Sequence, residues 1–210
     1  MIGGKAEGLI RLQELGLPVP PFVVVPVGAE VDESTVAALG EPLAVRSSAV
    51  GEDAADRSAA GQYETLLGVT AETLHAAVQH VRSSTERARA YGAAGEVAVV
   101  IQRQISAARA GVAFSRDPVT GGEAVLVECA LGGGEAVVSG EVTPDRYRID
   151  ADRVQARAHG AIRTLRDDEA REVAGLVRRA EAGFGCPVDV EFCLEGRTLW
   201  LVQCRPITTL

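Results

Sequence analysis

The chain of 210 residues is poor in aromatics, 4% in all, with a single Trp and a single Met. Its four cysteines, Cys129, Cys186, Cys193 and Cys204, form no C-x-x-C pair. No histidine lies at zinc-ligand spacing from them, so a zinc site of the usual kind is excluded and the thiols read as buried or inert. No apolar run approaches the ~20 residues that a membrane span requires. The start, Met1-Ile2-Gly3-Gly4-Lys5, lacks the apolar stretch of a signal peptide. A soluble, cytoplasmic protein is expected. Lys and Arg do not cluster beyond short groups such as Arg178-Arg179, and the net charge is −8. Both facts argue against a nucleic-acid or anionic-membrane partner, since backbone phosphates require clustered cations. There is no G-x-x-x-x-G-K-[ST] motif, hence no P-loop, and no internal repeat or low-complexity tract.

What is present is an aliphatic chain, 47% hydrophobic, with enough material for a sizeable core. Leu9, Leu12 and Leu15 recur at threes, so Gly8 to Leu15 reads as a short amphipathic helix capped by Gly16. Phe22 to Val27 and Leu43 to Val45 read as strands, with a short helix from Val31 to Leu39 between them. Ala71 to Tyr91 is the clearest helix, with Leu74, Val78 and Val81 on one face. Strands are expected over Val97 to Ile101, Gly111 to Phe114 and Ala124 to Cys129. A second helix is expected from Asp167 to Gly183, with Asp167 or Asp168 as N-cap. A hairpin follows, from Val188 to Leu194 and Thr198 to Cys204, turning at Glu195-Gly196-Arg197. Mixed helices and hairpins without regular βαβ alternation indicate an α+β fold.

Three places carry chemistry. The stretch from Leu43 to Leu67 delivers Arg46, Ser47 and Ser48 towards a loop of small residues that reaches Gly61 and Thr65. A fixed cation, hydroxyls and a small-residue backbone are what polyphosphate binding requires. A structural salt bridge is the competing reading for Arg46. Lys5, behind Gly3-Gly4 and ahead of a helix start, can reach a phosphate with help from the helix dipole, or can be a solvated turn. In the hairpin, alternation puts Asp189 with Glu191 on one face of the first strand, and Gln203 with Arg205 on one face of the second. Glu191 and Gln203 offer oxygens to Mg²⁺, and Arg205 can grip a phosphate. An amphipathic hairpin with one wet face is the alternative.

The segments Gly3-Gly4-Lys5-Ala-Glu-Gly-Leu9, Gly16-Leu-Pro-Val-Pro-Pro-Phe-Val23, Val45-Arg-Ser-Ser-Ala-Val-Gly-Glu-Asp53, Ala60-Gly-Gln62, Gly111-Val-Ala-Phe-Ser-Arg-Asp-Pro118, Gly140-Glu-Val-Thr-Pro-Asp145 and Gln203-Cys-Arg-Pro-Ile-Thr-Thr209 occur in collinear order. Together they resemble the ATP-binding domain of phosphoenolpyruvate synthase, pyruvate phosphate dikinase and rifampicin phosphotransferase. The resemblance implies an ATP-grasp-like fold of two lobes holding ATP, residues 1–92 and 93–210. It places nucleotide contacts on Lys5, Arg46, Gly61, Thr65, Gln102, Glu191, Gln203 and Arg205. Of these, Gln102 would lie near the adenine, Glu191 and Gln203 would hold Mg²⁺, and Lys5, Arg46 and Arg205 would be the catalytic cations. Such enzymes cleave ATP to AMP and phosphate and relay phosphate through a histidine on a swivelling domain. None of His75, His80 and His159 stands in a motif resembling that one. Leu131-Gly132-Gly133-Gly134-Glu135 also departs from the family's Trp-Gly-Leu-Gly-Glu, and the span from Lys5 to Arg46 is short for the family. The implied function is an ATP-dependent phosphotransferase acting on a histidine of a separate partner protein. A kinase of a small molecule and a non-catalytic ATP-binding regulatory module are the alternatives.

Overall fold

The computed structural model describes residues 1–49, 65–90, 97–133, 142–151, 153–160 and 162–207, with the backbone alone over 84–90. The elements are α1 (Gly3–Glu14), β1 (Phe22–Val25), α2 (Glu33–Ala37), β2 (Leu43–Ala49), β3 (Thr65–Val69), α3 (Ala71–Ala90) and β4 (Val97–Arg103). There follow β5 (Arg109–Phe114), β6 (Val125–Leu131), β7 (Asp145–Asp150), β8 (Arg153–Arg157), α4 (Asp167–Phe184), β9 (Val188–Glu195) and β10 (Thr198–Pro206). The strands form a four-stranded sheet in the order β1-β4-β2-β3 and a six-stranded sheet in the order β10-β9-β5-β6-β7-β8. Every pairing is antiparallel, which bears out the α+β expectation.

The chain divides into two compact units, Met1–Gly8 with Pro20–Gln104, and Leu9–Val19 with Ile105–Leu210. In the first, β2 and β4 alternate so that Leu43, Val45, Val99 and Ile101 point to one side, where Leu74, Val78 and Val81 of α3 cover them. Burying each of these aliphatic side chains contributes roughly 1.5–3 kcal/mol. In the second, Val127, Tyr147, Val190 and Phe192 of the sheet meet Ala170, Val173, Ala174 and Val177 of α4. Leu12 and Leu17, from the end of α1 and just beyond, join that core. Gly183 of α4 lies so close to Leu15 that a Cβ there would stand 2.3 Å from a Leu15 methyl.

Several elements differ from the sequence expectation for identifiable reasons. Helix α1 begins five residues early, at Gly3, because Ser48 Oγ accepts the Ala6 N–H at 3.0 Å and satisfies one of the first-turn donors. Strand β2 runs on through Arg46, Ser47 and Ser48 to Ala49, so these residues are ladder members rather than loop residues. Helix α4 has Arg166, not Asp167 or Asp168, at its N-cap position, and Glu169 reaches back to accept the Arg166 N–H at 2.9 Å. Strands β7 and β8 were not expected at all. In β7 the buried positions are Asp145, Tyr147 and Ile149, and a buried carboxylate hides the period-two pattern.

Candidate functional site

In the first unit, the side chains expected to contact nucleotide lie on the sheet face opposite α3. Arg46 of β2 stands opposite Val100 of β4 and Thr65 of β3, which places all three on one face. Two residues along that face, Gln102 stands opposite Ala44 and Phe22, and Ser48 stands opposite Ala98. Arg46 and Thr65 are half-buried, and Gln102 is 2% exposed. Among the described residues the Gln102 side-chain nitrogen finds no hydrogen-bond partner. A buried amide donor left in that state costs about 1–3 kcal/mol, so a ligand carrying an acceptor has something to gain there.

Lys5 comes to this unit through a tight seat. Gly3 has φ +74°, and a Cβ on it would lie 2.4 Å from the Ser48 carbonyl oxygen and 2.6 Å from that of Ala49. Only glycine fits such a close approach in the left-handed region. The first turn of α1, with half-buried Lys5, is thereby pinned to the end of β2, two residues beyond Arg46. Lys5 is the single lysine in the chain. Gly61 lies outside the described residues.

In the second unit, β9 and β10 pair with Gln203 directly opposite Glu191 and Arg205 directly opposite Asp189. The register shifts between Leu201 and Gln203, and that irregularity decides which way the polar residues face. Leu201 points into the core opposite Phe192, so strict alternation would have sent Gln203 there too. The extra residue, Val202, turns Gln203 and Arg205 onto the face of Asp189 and Glu191. The four polar side chains expected on one side of the hairpin are there. Gln203 and Asp189 are buried, Glu191 is half-buried and Arg205 is exposed. Arg205 donates from Nε to an Asp189 carboxylate oxygen at 2.9 Å, and its Nη2 lies 2.9 Å from the same oxygen.

Among the described residues no group of three or more His, Cys, Asp or Glu is placed to hold a metal. Glu191 and Gln203 supply two oxygen donors side by side. That donor set fits Mg²⁺, which takes one or two protein oxygens and fills its octahedron with phosphate and water.

Behind this face sits a network that sequence reasoning did not assign. Asp145, 4% exposed, accepts hydrogen bonds from the His159 and Thr164 backbone N–H groups, both at 2.7 Å, from Thr164 Oγ1 at 3.0 Å and from the Tyr147 hydroxyl at 3.3 Å. Burial pushes the Asp145 carboxyl up, but these donors more than offset it and hold the group below the ordinary carboxylate range. Arg109 reaches Glu169 through two bonds of 2.8 and 2.9 Å, which hold the Glu169 carboxyl low against the opposing effect of burial. Asp145 closes a quoted motif, yet nothing in its local pattern distinguishes a buried hub from a ligand. His159 is engaged through its backbone, His75 pairs with Gln79 on an exposed helix face, and His80 is exposed. Cys129, Cys193 and Cys204 are buried free thiols, and burial pushes Cys129 up to about 12. No helix among the described residues is long and apolar enough to cross a membrane.

Comparison with known proteins identifies the family. The family described as pyruvate phosphate dikinase, AMP/ATP-binding domain, matches residues 27–161 and 151–210. The chain is 39% identical over 202 residues to a rifampicin phosphotransferase of Streptomyces sp, covering 80% of this chain and 23% of that protein. It is 35% identical over 205 residues to a probable phosphoenolpyruvate synthase of Archaeoglobus fulgidus, covering 80% and 27%. To the prodigiosin synthesizing transferase PigC of Serratia marcescens it is 32% identical over 282 residues, covering 99% and 32%. The chain thus spans about a quarter to a third of these relatives. Among solved structures, a D-alanine–D-alanine ligase from Bacillus anthracis superposes with a TM-score of 0.59 at 11% identity, over 97% of this chain and 56% of that one. The ADP complex of purK, N5-carboxyaminoimidazole ribonucleotide synthetase, gives 0.61 at 9% identity, over 98% and 45%. At such identities these likenesses establish the fold, which is ATP-grasp-like. The chain belongs to the pyruvate phosphate dikinase AMP/ATP-binding domain family, a family of ATP-using enzymes.

Proposed function

We propose that the chain binds Mg-ATP and serves as the phosphate-donating part of a dikinase-like phosphotransferase. Each unit supplies its own half of the contacts. Lys5, Arg46, Gly61 and Thr65 hold phosphate oxygens, and Gln102 gives its buried amide donor to the adenine edge. Glu191 and Gln203 hold the metal, and Arg205 neutralises charge on the transferring group. The observation that carries this reading is the hairpin register, in which Gln203 faces Glu191 and Arg205 faces Asp189 across neighbouring ladder positions.

When bound, Mg²⁺ held by Glu191 and Gln203 would offset negative charge on the phosphates and lower the cost of bringing a nucleophile to them. The chain's own residues would position the triphosphate for in-line attack and offset its growing negative charge. No histidine of this chain stands in a relay motif, so the nucleophile is a histidine nitrogen on a separate protein domain. It attacks the β-phosphorus, the bond from the bridging oxygen to that phosphorus breaks, and AMP leaves with the oxygen. Water then attacks the γ-phosphorus, the bond from the β–γ bridging oxygen to that phosphorus breaks, and inorganic phosphate leaves while the β-phosphoryl group stays on the histidine nitrogen. The test is incubation with Mg-ATP, alone and with a histidine-bearing domain of a relative, while AMP, ADP and phosphate are followed by chromatography. Partner-dependent AMP supports the proposal. ADP formation identifies γ-phosphoryl transfer instead, and binding without either product identifies a regulatory module.

A further inference from the structure

Glu191, Gln203 and Arg205 each have a task in the nucleotide chemistry proposed above, and Asp189 has none. It lies on β9, a strand paired on both sides, directly opposite Arg205 of β10. On its other side β5 places Phe114 opposite it, an apolar neighbour that donates no hydrogen bond. Arg205 donates its Nε–H to Asp189 Oδ2 at 2.9 Å, and Nη2 also lies 2.9 Å from that oxygen. The guanidinium is therefore gripped along one edge. The pair is unequal: the Asp189 side chain is 12% exposed and that of Arg205 is 55% exposed. A buried carboxylate on a short stem has few rotamers open to it, whereas a long exposed arginine has many. The contact thus fixes the arginine rather than the aspartate.

The direction in which it fixes the arginine bears on the site. A guanidinium is a planar fork of N–H donors. With its Nε–Nη2 edge turned to Asp189, the edge carrying Nη1 points away from that carboxylate. Glu191 and Gln203 stand two residues along β9 and β10 on the same face, about 7 Å away at strand spacing. Arg205 is held next to the two oxygen donors that suit the metal. A contribution to the fold alone accounts poorly for the pair. It joins ladder neighbours that the hairpin already holds together, and an ion pair with one partner largely in solvent adds little stability. A metal-ligand role fits no better, because the oxygen that takes both donors is already neutralised by a cation.

We propose that Asp189 is a positioning residue for phosphoryl transfer. It holds Arg205 by the Nε–Nη2 edge, so that the opposite edge meets the transferring phosphate without first being ordered. The role rests on the reading of Arg205 as a phosphate ligand.

The test is a double-mutant cycle on the full chain with Asp189→Ala, Arg205→Ala and both together, read by isothermal titration with Mg-ATP, melting temperatures being checked for an intact fold. Asp189→Ala should lower Mg-ATP affinity about tenfold in the otherwise unaltered chain and should cost nothing once Arg205 is gone. Asp189→Asn, which keeps an oxygen acceptor at nearly the same size, should recover part of the loss. Equal losses from Asp189→Ala in both backgrounds overturn the proposal. Titration with MgCl₂ alone separates a metal ligand from a positioning residue. Asp189→Ala should weaken Mg²⁺ binding less than Glu191→Gln does, and an equal loss assigns Asp189 to the metal and overturns the proposal. A third readout needs no nucleotide. The Arg205 Nε–H resonance, assigned by its disappearance in Arg205→Ala, should exchange slowly with solvent and become fast in Asp189→Ala. Fast exchange in the unaltered chain overturns the hold. Absence of Mg-ATP binding by the unaltered chain overturns the nucleotide reading and this inference together, whereas binding with equal losses in both backgrounds overturns this inference alone.

Discussion

On the polar face of the four-stranded sheet, the ladder positions sharing a side with Arg46 are held by Phe22, Val24, Ala44, Ser48, Thr65, Ala98, Val100 and Gln102. None is acidic. On the polar face of the six-stranded sheet, the corresponding positions of β9 and β10 hold Asp189, Glu191, Gln203 and Arg205, and the arginine is paired with Asp189. In both sheets an aliphatic side lies under a helix, and the polar residues named here lie on the other side. They differ in the sign of what they need. The first face offers cations and buried donors, and suits an anion. On β9 and β10 two carboxylates share a side with one guanidinium, and Asp189 fixes the direction of Arg205.

The largest way to disturb this pairing is through the glycines that set backbone distances. A Cβ at Gly111 would lie 2.0 Å from the Glu128 carbonyl oxygen, so Gly111→Ala must force β5 and β6 apart. A loss above about 3 kcal/mol is expected, read as a large drop in thermal or denaturant midpoint. Gly3→Ala meets the Ser48 and Ala49 carbonyls and a positive φ. It should lower ATP affinity more than its effect on unfolding accounts for, because it displaces Lys5. Equal melting curves for wild type and Gly111→Ala would contradict the packing described here.

Next come the two arginines. On the proposed nucleotide reading, Arg46→Ala and Arg205→Ala each remove charge-assisted phosphate contacts worth roughly 1.5–3 kcal/mol. Each should cost about ten- to hundredfold in ATP affinity or turnover. They should differ in metal dependence: Arg205→Ala leaves Asp189 beside Glu191 without its cation, so Mg²⁺ alone should bind that variant more tightly. Isothermal titration with MgCl₂ and with Mg-ATP separates the two. Identical metal affinity in both variants would remove the distinction between the faces.

The units should also part company in acid. Asp145 and Glu169, both in the second unit, have folded pKa values held below the ordinary range. Their stabilisation is complete above the unfolded values near ~4 and is lost as pH falls through the depressed folded values. In the first unit, Asp32 is lowered to about 2 by the hydroxyls of Ser34 and Thr35, but it is fully exposed and caps only a five-residue helix. On acidification, amide exchange at Thr164 and Leu165 should therefore accelerate before that at Ala6. Asp145→Asn should flatten the difference, and simultaneous exchange would argue against it.

The smallest effect concerns Ser47. It lies on the aliphatic side of β2 opposite Val99, fully buried, and its hydroxyl has no hydrogen-bond partner among the described residues. Ser47→Ala should be neutral or stabilising by a few tenths of a kcal/mol, whereas Ser48→Ala should cost about 1–3 kcal/mol by orphaning the Ala6 N–H. Two adjacent serines on opposite faces thus separate packing from docking.

This pair also marks how much the sequence alone could reveal. Aliphatic periodicity exposed α3, α4 and the β9–β10 hairpin, because their buried residues are mostly Ala, Val, Leu and Phe. The side on which Gln203 and Arg205 emerge depends on the irregularity between Leu201 and Gln203, which no propensity announces. Arg46 and the serines looked like loop residues because polar side chains in a strand break the apolar run, although β2 carries them on the ladder. Strands β7 and β8 escaped for a related reason: Asp145 is buried where the pattern asks for a hydrophobe. The site residues were legible as chemical types and as family motifs. Their faces and pairings required the register.

Lys5 offers the most direct test of the nucleotide reading. As the only lysine, it shares amine reactivity with the chain's α-amino group alone, on an exposed Met1. Acetylation with a limiting amine reagent, followed by mass spectrometry, reports both sites in one spectrum. The account predicts that Mg-ATP slows modification of Lys5 and leaves Met1 unaffected, and that Arg46→Ala and Glu191→Gln each weaken that protection. Unchanged Lys5 reactivity at ATP concentrations that saturate binding would contradict the assignment of Lys5 to the phosphates.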